Sequence, residues 1–446
     1  MSMPVPDRRK KLSSFQLIIL GFAGLILLGA LLLMLPISSR ARVVTPFADA
    51  LFTAVSAGCV TGLVVHDTAL YWSGFGQAVI LTLIQIGGLG VITIAVSFAL
   101  LSGKKISLSQ RSVMQSSISA PQVGGIVRLT GFILRITAAV EVCGALCLMP
   151  VFCRDFGPRG IWMSVFHSIS AFCNAGFDLM GAEGAAFSSL TRYANSPWPQ
   201  IVLILLIVTG GLGFLTWEDI SLHRFHLRRY RMQSKVILMM TALLVLVPTM
   251  YFLLFEFRGQ TWGFRIVNSL FQSVTTRTAG FNTVDLTALR QPGPTMMIVL
   301  MLIGAAPGST AGGMKITTAA VMLANMWATF RRRDSASFFG RRIDEKAVNN
   351  AATVLMLYVT LFAAGGVLIS LLEHLPVHEC LFETASAIAT VGLTLGVTTR
   401  IGVMSKCILM LLMFTGRVGG LTVVYAAMPE TPKIVSKLPQ EKISVG

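Results

Sequence analysis

The chain of 446 residues has only 12% charged residues, about half the ~25% usual in globular proteins, and 54% of its residues are hydrophobic. With a mean hydropathy of +0.74, this composition excludes an ordinary water-soluble protein and indicates several membrane crossings. The net charge of +17 would suggest nucleic acid in a soluble chain, but the basic residues lie mainly between apolar segments. The seven cysteines show no CxxC or metal-ligand spacing, so no disulfide framework is predicted.

Apolar stretches of about 20 residues, long enough to cross ~30 Å of hydrocarbon, predict eight crossings. They lie near residues 13–36, 74–101, 129–152, 199–217, 236–257, 294–330, 351–373 and 401–428. The first follows a basic cluster at 8–11 as a signal peptide would, but it can span and no clear small-residue cleavage site follows. A retained helix is therefore expected.

Basic residues are concentrated in alternate connectors between these stretches. They are Lys104, Lys105 and Arg111; then Arg224, Arg228, Arg229, Arg231 and Lys235; then Arg331, Arg332, Arg333, Arg341, Arg342 and Lys346. Because Lys and Arg accumulate in cytoplasmic loops, these connectors are predicted to be cytoplasmic. Both termini, which are also basic, are expected on the same side, in a multi-pass protein of the inner (cytoplasmic) membrane.

The outward connectors contain an internal repeat. Each holds a short, partly apolar segment that ends in a turn rich in small and hydroxyl residues and closed by Gly; the four segments lie at 51–63, 165–177, 270–281 and 381–393. The crossing after each turn carries a Gly cluster. The unit is a helix, a half-helix, a turn and a Gly-interrupted helix, which predicts repeats at residues 1–101, 102–220, 221–330 and 331–428 and a cytoplasmic tail at 429–446.

The turns suggest an ion pathway. A segment of ~8–10 residues is too short to span, so it must dip into the membrane and return, where non-helical backbone is tolerated only inside protein or beside water. Backbone carbonyls can replace the hydration shell of a cation without adding charge, and the C-terminal end of each half-helix also favours a cation. Ordinary tight turns are the alternative for any one segment, but four similar turns favour a shared pore.

These features resemble the Trk/Ktr/HKT superfamily of potassium transporters, which consist of four M1–P–M2 repeats. The most specific matches are the four turns, the motif PGSTAGGMK at 307–315 and the motif GRVGGLT at 416–422. The resemblance implies an all-α integral membrane fold, with eight transmembrane helices and four half-spanning pore helices in pseudo-fourfold symmetry around one pore. Only about a dozen residues precede the first crossing, so the Ktr-type subunit is expected rather than the Trk type, which has an additional N-terminal helix pair.

The resemblance also implies a selectivity filter that binds potassium, since Gly at all four filter positions goes with potassium preference. The implied filter residues are Cys59, Val60, Thr61, Gly62, Cys173, Asn174, Ala175, Gly176, Arg277, Thr278, Ala279, Gly280, Ala389, Thr390, Val391 and Gly392. The first turn departs from relatives, which often have an alternating Val/Thr run, because it contains Gly58 and Cys59. Arg277 is expected either to shield the outer mouth or to anchor its turn.

The second helix of the third repeat is predicted to break. Residues 294–330 would form a continuous helix of 37 residues, roughly 55 Å long, and a broken helix in a membrane marks an ion pathway. Lys315 and Arg417 place cations near the pore. The predicted gate comprises Gly304, Ala305, Ala306, Pro307, Gly308, Ser309, Thr310, Ala311, Gly312, Gly313, Lys315 and Arg417.

Structural roles are predicted for the other polar residues in apolar surroundings. His374 and His378 have the spacing of a metal pair, but Pro376 lies between them, so a metal site is not favoured. Asp49 and Glu383 are expected to brace the turns rather than bind ions. Glu141 is expected to be packed and hydrogen-bonded or protonated.

The predicted function is potassium uptake through a pore-forming subunit. A sodium-coupled symporter or a sodium-permeable member of the superfamily is the alternative, and a membrane enzyme is more distant, because no GxSxG, HExxH or P-loop occurs. No cofactor is expected in this chain. No stretch is long and polar enough to fold as a nucleotide-binding domain, so regulation by ATP/ADP or NAD is expected through an RCK-type ring beneath a homodimer.

Overall fold

The computed structural model describes residues 13–91, 93–95, 111, 115, 125–427, 439 and 441. The expectations for the basic cluster at 8–11, for Lys104 and Lys105 and for nearly all of the tail at 429–446 lie outside these residues. The described part of the chain is mostly helical, with almost no strand.

The helices follow the predicted order of long and short segments. They are α1 (Ser14–Met34), α2 (Phe47–Gly58), α3 (Gly74–Leu89), α4 (Ile126–Phe156), α5 (Arg159–Phe172), α6 (Pro197–Gly211), α7 (Phe214–His223), α8 (Met232–Tyr251), α9 (Trp262–Thr275), α10 (Pro292–Leu302), α11 (Ile316–Phe330), α12 (Glu345–Glu373), α13 (Val377–Ile388), α14 (Val403–Val418) and α15 (Gly420–Ala427). Strands β1 (Ser337–Phe338) and β2 (Arg341–Arg342) form an antiparallel hairpin between α11 and α12.

Four helices, the first of each repeat, are long and apolar enough to cross a membrane. These are α1, α4, α8 with its π-helical extension to Glu256, and α12, with mean hydropathies between 2.0 and 2.8. The bent pairs α6–α7 and α14–α15 raise the number of such spans in the described residues to six. The shorter apolar helices α3, α10 and α11 complete the second helices of the first and third repeats.

The half-helices α2, α5, α9 and α13 lie at the centre of the bundle. Pro46, Pro158 and Pro376 immediately precede three of them, where a residue without an N–H costs no helical hydrogen bond. Each half-helix packs against the first helix of its own repeat. It also contacts the second helix of the preceding repeat, in the pairs α3–α5, α6–α9, α10–α13 and α14–α2. The last pair joins the fourth repeat to the first, so the four repeats form a closed circle.

Glycine interrupts the second helices more sharply than the sequence predicted. The stretch at 199–217 turns by 97° between α6 and α7, and the stretch at 401–428 turns by 96° between α14 and α15. The turning residues, Gly213 and Gly419, have φ of 84° and 95°, which residues with a Cβ rarely adopt. The interruption was predicted from the Gly clusters, and the structure adds the size of the bend.

Candidate functional site

The four predicted turns meet in one ring, here called the four-turn ring, formed by residues 59–62, 173–176, 277–280 and 389–392. The closing glycine of each turn faces a backbone carbonyl oxygen of the next turn. A Cβ built on the glycine would lie within 3.0 Å of that oxygen in the pairs Gly62–Ala175, Gly176–Ala279, Gly280–Val391 and Gly392–Thr61. A side chain therefore cannot be added at any of these glycines without displacing the neighbouring backbone.

The backbone of all four turns follows one pattern that the sequence did not reveal. The residue two positions before each closing glycine has a left-handed conformation: φ is 58° at Val60, 57° at Asn174, 67° at Thr278 and 52° at Thr390. Positive φ is a genuine outlier for a β-branched residue and persists only where surrounding structure imposes it. The four turns are therefore held in a common, strained shape that displays their carbonyl groups around one axis.

Hydroxyl groups at the ends of the half-helices hold these turns. Ser56 Oγ accepts a hydrogen bond from Gly62 N at 3.1 Å, and Ser386 Oγ accepts one from Gly392 N at 2.9 Å. In the second and third repeats, Ser170 Oγ and Thr275 Oγ1 donate to the carbonyls of Phe177 and Phe281. The sequence analysis missed these residues, although Ser or Thr occupies the same position in all four aligned segments.

The Gly clusters after the turns allow the second helices to approach the half-helices. A Cβ on Gly87, Gly210 or Gly416 would lie within 3.0 Å of the carbonyl oxygen of Gly58, Phe172 or Ile388, respectively. These oxygens lie at or near the C-terminal ends of three half-helices. Close backbone packing at this depth explains why the same glycine recurs in three repeats.

Two carboxylates of the half-helices have partners within the protein. Glu383 of α13 is fully buried and accepts hydrogen bonds from the N–H groups of Val397 at 3.1 Å and Thr398 at 3.3 Å. It also accepts from the hydroxyls of Thr394 and Thr398. Asp49 of α2 pairs with Lys406 of α14 at 3.0 Å, so it joins the first repeat to the fourth.

The Arg277 side chain points away from the ring axis. It is only 5% exposed, and its Nη2 donates to Thr241 Oγ1 of α8 at 3.3 Å. Of the two roles considered from the sequence, this contact supports anchoring of the third turn to the first helix of its repeat.

The second helix of the third repeat is broken as predicted. Helix α10 ends at Leu302 and α11 begins at Ile316, so residues 303–315 form an irregular segment, here called the third-repeat loop. The loop is tied to the second repeat: Ala306 N donates to Gly211 O at 3.0 Å, and Phe214 N donates to Gly308 O at 2.8 Å. These bonds satisfy backbone groups that would otherwise be unpaired inside the membrane.

The third-repeat loop lies directly against the four-turn ring. Thr310 Oγ1 donates to Phe172 O, at the end of α5, at 2.8 Å. On the opposite side, a Cβ on Gly312 would overlap the side chain of Thr390, and one on Gly313 would lie 2.8 Å from Ala389 O. The loop therefore spans from the second turn to the fourth, across one face of the ring.

Arg417 joins three repeats at this loop. Its guanidinium donates to Thr310 O of the third-repeat loop and to Gly87 O and Gly88 O at the end of α3, the last at 2.8 Å. The Lys315 ammonium donates to Ala311 O within the loop at 2.9 Å. The two predicted cations thus contact free carbonyl groups rather than carboxylates. They border a cavity of about 320 Å³ whose lining also includes Gly88, Phe214, Ser309 and Gly419.

Of the remaining predicted polar positions, Glu141 is linked to the ring through Gln85, which accepts a hydrogen bond from Cys173 Sγ at 3.6 Å. His374, the residue that follows α12, has φ of 54°, and the His378 side chain is 72% exposed. No group of three or more His, Cys, Asp and Glu residues that could hold a metal occurs in the described part of the chain. Glu141 is buried and accepts a hydrogen bond from Gln85 Nε2 at 3.1 Å, in agreement with its expected packed role.

The chain is similar to known cation transport proteins in sequence and in structure. The TrkH family model, described as "Cation transport protein", matches residues 13–437. The chain is 40% identical to the "Potassium/sodium uptake protein NtpJ" of Enterococcus hirae, with 98% of each chain covered. It is 37% identical to the "Ktr system potassium uptake protein B" of Bacillus subtilis, with 92% of each covered. The structure of the potassium transporter TrkH from Vibrio parahaemolyticus matches with a TM-score of 0.72 at 18% identity, covering 95% of this chain and 87% of that one.

Proposed function

The chain belongs to the TrkH family of cation transport proteins, and from this premise we propose that it is a pore-forming subunit for potassium uptake. The observation that carries the proposal is the closed four-turn ring, in which each closing glycine faces a carbonyl of the next turn. Such a ring offers backbone oxygens to a dehydrated cation from all sides. The chain in this proposal transports an ion and catalyses no reaction.

In the proposed pore, the four-turn ring is the selectivity filter. The half-helices end at the ring, so their C-terminal dipoles place partial negative charge there. Glu383 already accepts four hydrogen bonds and Asp49 pairs with Lys406. Neither carboxylate is therefore free to act as a charged ion ligand, and selection between cations falls to carbonyl groups and ring size.

The third-repeat loop, with Arg417, is the proposed gate. It lies across one face of the ring and is held by hydrogen bonds to carbonyls of the second and fourth repeats. The Arg417 guanidinium contributes a positive charge that repels potassium. Moving the loop and the guanidinium aside would open a path from the ring to the cavity.

The sidedness follows from the positive-inside rule. Connectors at 224–235 and 331–346 are rich in Lys and Arg, so we place them and both termini in the cytoplasm. The ring then faces outward and the third-repeat loop faces inward, which suits uptake across the inner (cytoplasmic) membrane.

Regulation is proposed to come from outside this chain. The described cytoplasmic connectors are short and basic, and none is large enough to bind a nucleotide as an independent domain. A homodimer of the chain resting on an RCK-type ring, which binds ATP/ADP or NAD, would supply the nucleotide. Co-purification of the full-length chain with such a ring, and flux that responds to nucleotide only when it is present, would support this arrangement. Flux that ignored both would refute it.

A sodium-coupled or sodium-permeable transporter is the second candidate. It is favoured by the 40% identity with a relative named for both potassium and sodium uptake. The two candidates predict different ion dependence but the same ring.

The decisive experiment measures potassium and sodium flux in proteoliposomes that contain the purified chain. Separate gradients of each ion are imposed, and potassium flux is measured with and without sodium. Potassium flux that needs no sodium supports the leading proposal, and potassium flux that requires a sodium gradient supports symport. A chain that passed sodium in preference to potassium would overturn the filter assignment.

A further inference from the structure

A second polar cavity lies away from the ring, between the connector that follows α7 and the β1–β2 hairpin. Its volume is about 390 Å³. Its lining includes five side chains that are or can become cationic, together with an aromatic ring: His223, Arg228, Arg229, Lys235, Arg341 and Phe339. The cavity, here called the basic cavity, joins the connector between the second and third repeats to the hairpin between the third and fourth.

The cationic groups of the basic cavity have no carboxylate partner among the described residues. The two acidic residues of α7, Glu218 and Asp219, pair with Arg231, at 2.6 Å and 3.5 Å. Arg228, Arg229 and Arg341 form no ion pair with any described residue, and the Lys235 ammonium donates only to Arg228 O, at 2.8 Å. Like charges gathered in one cavity repel one another, so the arrangement favours a bound anion.

The surroundings of the basic cavity fit a position at the membrane surface. Helix α7 turns 97° from α6, and a helix at a right angle to a spanning helix runs near the membrane plane. The end of α7 and the connector after it expose large apolar side chains, among them Leu222, Leu227 and Phe225, the last 97% exposed. Apolar side chains beside a cluster of Lys and Arg are typical of surfaces that insert into the headgroup region.

We propose that the basic cavity binds the phosphate headgroup of an anionic phospholipid. The Arg228, Arg229 and Arg341 guanidinium groups suit a phosphate, because each offers several N–H donors in a fixed plane. Phe225 and Leu227 would contact the upper acyl chains, which a soluble phosphate or nucleotide does not provide. This inference concerns lipid recognition and does not depend on which ion the pore selects.

A lipid at this place would hold two gate-side helices together. Helix α7 begins at Phe214, whose N–H donates to Gly308 O of the third-repeat loop, and α11 begins where that loop ends. Both helices lead from the loop to the walls of the basic cavity. Because a ligand that binds only the folded state stabilises it, bound anionic lipid should raise the thermal unfolding temperature.

The test uses the full-length protein in an uncharged detergent, with short-chain phosphatidylglycerol and phosphatidylcholine as probes. Lipid adducts are counted by native mass spectrometry, and the unfolding temperature is followed in parallel. The test variant is Arg228→Gln/Arg229→Gln/Arg341→Gln. The control variant, Arg128→Gln/Arg135→Gln/Lys346→Gln, removes three exposed cationic side chains outside the basic cavity.

The wild type should bind phosphatidylglycerol at least about tenfold more tightly than phosphatidylcholine, since each basic residue near an anionic headgroup contributes to attraction. The test variant should lose most of this preference and of the thermal shift, and the control should keep both. If the test variant fails to give monodisperse protein, Arg228→Lys/Arg229→Lys/Arg341→Lys replaces it: because Lys lacks the planar set of N–H donors, its preference for the anionic lipid should fall, and a preference equal to that of the wild type would count against the proposed site.

Three results would overturn the proposal. The first is equal binding of the two lipids by the wild type. The second is an equal loss of preference in the control variant, which would show general surface attraction. The third is displacement of the lipid by inorganic phosphate or ATP at the same concentration as phosphatidylglycerol, with the same sensitivity to the test variant, because that would identify a site for soluble anions.

Discussion

Gly392 of the last repeat lies against Thr61 of the first, so close that a Cβ on the glycine would overlap the Thr61 carbonyl oxygen. This contact closes the ring between two segments that are more than 300 residues apart in the chain. The same junction is reinforced outside the ring by the Asp49–Lys406 ion pair and by packing of α14 on α2. A single chain thus obtains the circular arrangement that symmetric oligomers obtain from identical subunits.

The first prediction tests the proposed filter. Gly62 has φ of 96° and faces Ala175 O, so Gly62→Ser introduces a side chain where neither the backbone conformation nor the space allows one. The potassium/sodium permeability ratio should fall by about fivefold or more, an amount that corresponds to ~1 kcal/mol of lost discrimination. Ion flux under bi-ionic gradients in proteoliposomes measures the ratio.

Gly74→Ser is the matched control, because a Cβ on Gly74 meets nothing within 4 Å. Its ratio should equal that of the wild type. An unchanged ratio in Gly62→Ser would remove the first turn from the filter.

The second prediction concerns the hydroxyl groups behind the turns. Ser386→Ala removes the acceptor of the Gly392 N–H, which is 2.9 Å from Ser386 Oγ, and leaves a buried donor without a partner. The variant should lose ~1 kcal/mol or more of folding stability and should select potassium less well. Ser269→Ala is the control: Ser269 is buried in α9, and its hydroxyl has no hydrogen-bond partner within the described chain. Thermal unfolding and permeability ratios of both variants provide the measurement, and equal behaviour would exclude a special role for Ser386.

The sequence alone was sufficient to predict the internal repeat and the break in the second helix of the third repeat, because both depend on local composition. Apolar length predicts spanning helices, and a run of Gly, Pro and Ser predicts the loop between Leu302 and Ile316. Boundaries between the repeats stay predictions.

Contacts between segments that lie far apart along the chain could not be predicted from the sequence. At the right-angle turn of Gly213, the nearest atoms include the Pro307 carbonyl oxygen and the Ala306 side chain of the third repeat. The partners of Arg417, Thr310 O and the carbonyls at the end of α3, come from segments far away along the chain. Arg417 was a candidate from its charge and its place in the GRVGGLT motif, but its partners required the three-dimensional arrangement.

The third prediction tests the close approach of second helix and half-helix. A Cβ on Gly210 would overlap Phe172 O at the end of α5, and backbone cannot move aside as a flexible side chain can. Gly210→Ala should therefore destabilise the protein by roughly 1–3 kcal/mol, as overpacking in a dense core does. Gly131→Ala is the control, since a Cβ on Gly131 in α4 meets nothing within 4 Å and Ala is the better helix former. Thermal unfolding in detergent compares the two, and a Gly210→Ala protein as stable as the control would contradict the packing argument.

The last prediction tests the proposed gate. The third-repeat loop is held by a small number of hydrogen bonds, among them those from Arg417 to Thr310 O and from Thr310 Oγ1 to Phe172 O. Each neutral bond contributes ~1 kcal/mol, and a bond from a charged group up to ~3 kcal/mol. Loss of two or three would shift the closed/open ratio by about tenfold or more. Deleting residues 305–313, or Arg417→Ala, should therefore raise potassium flux by about tenfold in the absence of a cytosolic partner.

Selectivity should change little in both gate variants, because the residues of the four-turn ring are intact. Arg135→Ala is the matched control: Arg135 lies on α4 and its Nε donates to Gly131 O of the same helix, so its loss removes a guanidinium without touching the loop. Partner-free flux and permeability ratios are measured in proteoliposomes after size-exclusion chromatography has shown normal assembly. If the deletion variant assembled normally and its flux stayed at the wild-type level, the third-repeat loop would not be the barrier, and the closed state would have to lie in the four-turn ring itself.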